Sequence, residues 1–138
     1  MFKFTKIIFS LFSILFIISG CAAYHPEGKG GIRVIDSKKE SLSVGPAGSY
    51  EECFIVKPGQ KLIYKFRSSK PADFNIHYHG DSDVHYPVLQ KEVSEADGVI
   101  DPDKHNYYIK AQEYYCLMWE NPDARPFNVS YECTVVEK

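Results

Sequence analysis

From Tyr50 onward, apolar residues return at every second position in short runs cut by turn-forming residues. Side chains of an extended chain alternate between faces, so this spacing gives a strand one apolar side but gives a helix no stripe. In 61–68, Leu62, Tyr64 and Phe66 share one face, while Lys61, Lys65 and Arg67 share the other. Phe74, Ile76 and Tyr78 then alternate with Asn75, His77 and His79, and Val84, Tyr86 and Val88 resume the apolar set. Further runs occupy 51–57, 106–111, 114–120 and 127–136. The breaks fall at Pro58-Gly59, at 69–73, at 80–83, along the polar stretch 90–104 and at Asn121-Pro122-Asp123. No stretch keeps helical spacing for three turns. The expectation is an all-β chain: a single antiparallel, jelly-roll-like β-sandwich of about seven or eight strands over 50–138. Pro87 lacks an amide hydrogen, which places its strand at a sheet edge.

The N-terminal segment has a different character. Lys3 and Lys6 precede an apolar run over 7–18, too short to span a bilayer comfortably and flanked like a cleaved leader. Ile18-Ser19-Gly20-Cys21 resembles a bacterial lipobox. That resemblance implies a lipoprotein signal peptide over 1–20, cleavage before Cys21 and diacylglycerol on its thiol. Two or more acyl chains hold a protein at a membrane stably. Ala22-Ala23 follows with no Asp, the pattern for an outer-membrane protein facing the periplasm in a Gram-negative host. Residues 21–49 carry five Gly and two Pro and predict a lipid-anchored flexible linker, with only 32–35 suited to a short strand. The formal charge is −2, and −4 once the leader's two lysines are removed. No basic excess marks a nucleic-acid partner.

Three of the five histidines cluster in one segment. His77 and His79 lie two apart on one strand face, opposite Phe74, Ile76 and Tyr78. His85 alternates against Val84 and Tyr86. A hairpin that keeps core opposite core then sets His85 across from His77 or His79. Three imidazoles on one rigid surface suit Cu²⁺ or Zn²⁺, and Asp81 or Asp83 can add an oxygen ligand. The sequence gives no position for His105, Tyr107 or Tyr108. No residues of a catalytic site stand out: there is no phosphate loop, nucleophile elbow or helical zinc motif, and nothing marks a general base. The chain is therefore expected not to be an enzyme.

Beyond Cys21, the thiols are Cys53, Cys116 and Cys133. In an oxidising compartment they can form one disulfide and leave one odd, and spacing alone does not choose the pair. No Cys-x-x-Cys is present. Cys133 alternates with Phe127, Val129, Tyr131 and Val135 in phase, on the inward face.

Three pieces of the chain carry a resemblance. They are Glu52-Cys53-Phe54 leading to Val56-Lys57-Pro58-Gly59-Gln60, the Leu62-x-Tyr64-x-Phe66 strand, and Tyr115-x-Leu117-x-Trp119-Glu120-Asn121 followed by Asn128-Val129-Ser130-Tyr131. Together they resemble the GOLD (Golgi dynamics) domain of cargo-receptor and lipid-transfer proteins. The resemblance implies a β-sandwich that binds a protein or lipid partner without catalysis. It also implies a disulfide from the early Cys to the penultimate strand, Cys53–Cys116; the cysteine spacing itself leaves Cys53–Cys133 as the alternative. The expected function is a lipid-anchored cell-envelope binding module. The alternative is an envelope metal-binding protein using His77, His79 and His85.

Overall fold

The computed structural model describes residues 31–104 and 112–138, which form β-strands joined by turns. The strands are β1 (Arg33–Val44), β2 (Ser49–Val56), β3 (Gln60–His79), β4 (Val84–Ile100), β5 (Glu113–Glu120) and β6 (Phe127–Glu137). They build one antiparallel sheet in the order β1-β6-β3-β5-β2, with β4 on the other edge of β3. The sheet curls into a sandwich-like fold, so the chain is all-β as its alternation predicts. The leader, Cys21 and the expected run at 106–111 with His105, Tyr107 and Tyr108 lie outside the described residues.

The architecture turns on β3. Its first half pairs with β6 from Gln60 to Ser68, and its second half pairs with β5 from Asp73 to His77. β4 follows β3 along the opposite edge through both halves. One layer is therefore β1-β6 with the start of β3, the other is β2-β5 with its end, and the β3–β4 hairpin belongs to both. The corner falls where the ladder is irregular, between Arg67 and Phe74. There Ser68 Oγ donates to the Lys70 and Ser94 carbonyls, and Glu92, at φ 54°, donates its amide to Asp73 Oδ1. Strands that change layers bend at such irregularities.

This corner corrects two expectations. The turn expected at 69–73 is a bend inside a continuous strand, and most of the expected loop at 90–104 is the second half of β4. Merging 61–68 with 74–79 takes one strand from the seven or eight expected, and with 106–111 outside the description six strands stand among the described residues. Pro87 lies in β4, which pairs only with β3 among the described residues, so its missing amide disrupts no second ladder.

The linker expected over 21–49 is corrected as well, because Arg33–Val44 pairs with β6 along its length. Its inward residues include Lys38 and Glu40, so its apolar face begins only at Leu42 and Val44. Those two polar residues serve the closure of the curl. Lys38 pairs with Glu40 and with Glu52 of β2, and Glu52 accepts from Tyr50 and Tyr131 hydroxyls at 2.9 Å each. Burial pushes the Glu52 pKa up, but the hydrogen bonds from Lys38, Tyr131 and Tyr50 outweigh it and hold it below the usual range. This polar seam joins the two outer strands by side chains where no backbone ladder does.

Between the layers, Trp119 stacks on Tyr131 at 5.0 Å and meets Phe66 edge-on at 5.6 Å, while Phe66 and Phe74 lie 4.5 Å apart. Fully burying such a side chain stabilises the fold by roughly 1.5–3 kcal/mol. Tyr64 crosses Gly98 so closely that a Cβ there would come 2.7 Å from its hydroxyl. The Lys57–Gln60 turn places Pro58 and then Gly59, at φ 82°, in its centre, as a type II turn requires. Asn121 ties the β1–β2 turn to the β5–β6 turn, its amide donating to the Val44, Gly45 and Arg125 carbonyls.

Candidate functional site: a disulfide and histidine row

On the outer face of the second layer, one rank of side chains crosses four strands. β2 pairs Cys53 with Cys116 of β5, and β5 pairs Cys116 with His77 of β3. Tyr86 of β4 completes the rank, its ring 5.7 Å from that of His77. Cys53 and Cys116 are joined in a disulfide across directly opposed positions, with Cα atoms 4.0 Å apart. Of the two pairings considered from sequence, the structure has Cys53–Cys116. Cys133 is a free thiol buried in the core, and burial pushes its pKa up to about 12. It therefore stays protonated, a core residue rather than a nucleophile.

His77 is only 6% exposed although it lies on the outer face. Asn75, two residues before it, offers Oδ1 at 2.8 Å from Nδ1. Glu51, two residues before Cys53, brings Oε1 to 3.4 Å from His77 Nε2 and 3.5 Å from Cys53 Sγ. Burial depresses the His77 pKa; Glu51 opposes that shift and His79 adds to it. With its pKa lowered from the ordinary value, the ring is neutral at pH 7, with Nδ1 hydrogen-bonded to Asn75 and Nε2 turned to Glu51 and the disulfide. Among the described residues, Glu51, His77 and Cys116 bring their ligand atoms within 4.8 Å of one another.

The histidines predicted as one cluster are divided. His77 and His79 share the outer face, their rings edge to face at 5.3 Å. His85 instead pairs with Tyr78 and stacks on that core-facing ring at 4.8 Å. The physical reason is the shift in register between Ile76 and Tyr78, which moves β4 by one residue. A one-residue slip exchanges the two faces of a strand. Asp81 and Asp83 sit exposed in the turn closing the hairpin, where the Asp83 carbonyl accepts from Gly80 N at 2.8 Å. Neither belongs to the Glu51/His77/Cys116 group. Sequence reasoning missed Glu51, Asn75 and Tyr86. The first two were within reach, since each stands two positions from a residue already singled out, on the same strand face.

The outer face of the first layer offers a second feature, an open groove over β1, β6, β3 and β4. Lys65, Arg67, Glu132 and Asp97 line it, with the aliphatic side chains of Ile63 and Val99 between.

No protein-family model matches this chain, and no curated protein matches it. Among solved structures it is similar to the solution structure of a de novo designed double-stranded β-helix. That likeness has 14% identity and a TM-score of 0.35, and it covers 71% of this chain and 97% of the designed one.

Proposed function

We propose that this is a lipid-anchored envelope protein, held to the membrane through Cys21, whose GOLD-like sandwich acts as a non-enzymatic binding module for a protein or lipid. The observation that carries this reading is the sequence Ile18-Ser19-Gly20-Cys21 directly after a charged start and an apolar run. The Cys53–Cys116 disulfide fits an oxidising, extracytoplasmic location. The groove of the first layer mixes both signs of charge with aliphatic surface, a composition suited to a polar partner surface. The full-length gene product, expressed in a Gram-negative bacterium and extracted in detergent, tests the anchor. Mass spectrometry should find diacylglyceryl on an N-terminal Cys21, and Cys21→Ser should release the protein to the soluble fraction. An uncleaved chain, or a wild-type protein that stays soluble, defeats the reading.

The second reading is binding of Cu²⁺ or Zn²⁺ in the disulfide form. The approach of the His77 and His79 rings favours it, with His85 no longer in the set. If it holds, Zn²⁺ raises the melting temperature of the oxidised protein by mass action, and His77→Ala/His79→Ala removes that shift.

A further inference from the structure

We infer that Cys53, Cys116, His77 and Glu51 are the four ligands of a Zn²⁺ site that the disulfide closes and a dithiol reductant opens. The inference rests on neither reading above, because it concerns the dithiol form of the protein.

The argument begins with distances. Around tetrahedral Zn²⁺, bonds of about 2.0–2.2 Å to nitrogen or oxygen and about 2.3 Å to sulfur separate an N···O pair by roughly 3.4 Å and an O···S pair by roughly 3.5 Å. His77 Nε2 and Glu51 Oε1 are 3.4 Å apart, and Glu51 Oε1 and Cys53 Sγ are 3.5 Å apart. Two edges of the coordination tetrahedron are thus already in place. The two sulfurs, being bonded to each other, are too close; as two thiolates they would separate to roughly 3.8 Å around the metal.

The orientation of the ring points the same way. His77 Nε2 is turned towards a carboxylate oxygen and a sulfur, while Nδ1 is held by Asn75 Oδ1 at 2.8 Å. A hydrogen bond from the second ring nitrogen to an oxygen acceptor is the usual support of a metal-bound histidine, and Asn75 provides it. The ligands come from three neighbouring strands of one ladder, which fixes their spacing.

The reaction balances. A thiolate of an external dithiol attacks the exposed Cys53 Sγ, the S–S bond breaks and Cys116 leaves as thiolate. The second thiol of the reductant then resolves the mixed disulfide, so two electrons pass to the protein and the reductant becomes the disulfide. Zn²⁺ binding to the resulting dithiol releases whatever protons the two sulfurs hold, at most two per ion.

The test uses the detergent-extracted full-length protein, oxidised or reduced and freed of reductant, titrated with Co²⁺ as a spectroscopic stand-in for Zn²⁺ and then with Zn²⁺ itself. The reduced protein should give a thiolate-to-cobalt charge-transfer band at one equivalent, displaced by Zn²⁺, and the oxidised protein should give none. His77→Ala and Glu51→Ala should each weaken binding at least tenfold, and Cys53→Ser should remove the band. Cys133→Ala and His85→Ala should leave it intact. A reduced protein without the band, or a band that depends on Cys133, overturns the inference. So does a reduced chain that loses its strand circular dichroism and does not recover it with Zn²⁺, since the site requires the sheet to hold its ligands together.

Discussion

Asn121 and His77 are the two buried polar residues whose roles are sharpest. The Asn121 side chain is 3% exposed and serves four backbone groups, accepting from the Asp123 amide at 2.9 Å besides donating to three carbonyls. Asn121→Ala strands those groups around a small void. The expected loss is about 2–3 kcal/mol, read as a lower urea midpoint with an unchanged slope. His77 makes stability depend on pH. Its folded pKa lies below the ordinary 6.5 because burial disfavours the cation. Between those two values the unfolded chain binds more protons, so stability rises with pH there and falls on acidification below about 6.5. His77→Gln has no such group. The difference in unfolding free energy between the two proteins should therefore shift in favour of the variant as pH falls from about 7 to 5. A constant difference would mean that the ring is not held neutral.

At the scale of strands, the central pairings were legible and the closures were not. Leu62, Tyr64 and Phe66 face inward, as do Phe74, Ile76 and Tyr78, because a two-residue period leaves no other assignment once one face is apolar. Pro58-Gly59 turns the chain for the conformational reason its sequence advertises. β1 stayed hidden because the inward positions Lys38 and Glu40 are polar, and their meaning depends on Glu52 in another strand. The bend at 69–73 carries residues that form turns elsewhere, and only pairing with β4 keeps it extended. His85 was misplaced because a register shift leaves no mark on the strand that slips. Asn75 and Glu51 were legible in spacing but needed the register to be assembled with the disulfide. Glu52 tests the closure directly. Its lowered pKa contributes stability above about pH 4.5 that is lost as pH falls through the folded value. Glu52→Gln should cost about 1–2 kcal/mol near neutrality and flatten the acid limb of the stability curve. An unchanged acid limb would place the closing energy elsewhere.

For the molecule as a whole, the disulfide and the terminal strands set how the chain behaves in time. Cys53 and Cys116 are 63 positions apart, and in the chain-entropy account a crosslink of that span stabilises by up to about 4 kcal/mol. Reduction should lower the urea midpoint accordingly, and saturating Zn²⁺ should restore part of the loss in the reduced protein. A midpoint indifferent to reductant would show that the sheet already restrains these two residues in the unfolded ensemble. The pairing of β1 with β6 has a consequence of another kind. Arg33 meets Glu137 across 104 positions, so the first strand of the sheet finds its ladder only when the last one is present. A polypeptide emerges from the ribosome amino end first, and such long-range closure is slow compared with local contacts. Until β6 appears, β1 has no strand to rest on and the curl has no seam. A nascent chain of this kind keeps β1 unpaired until β6 has been made, and only then can the curl close.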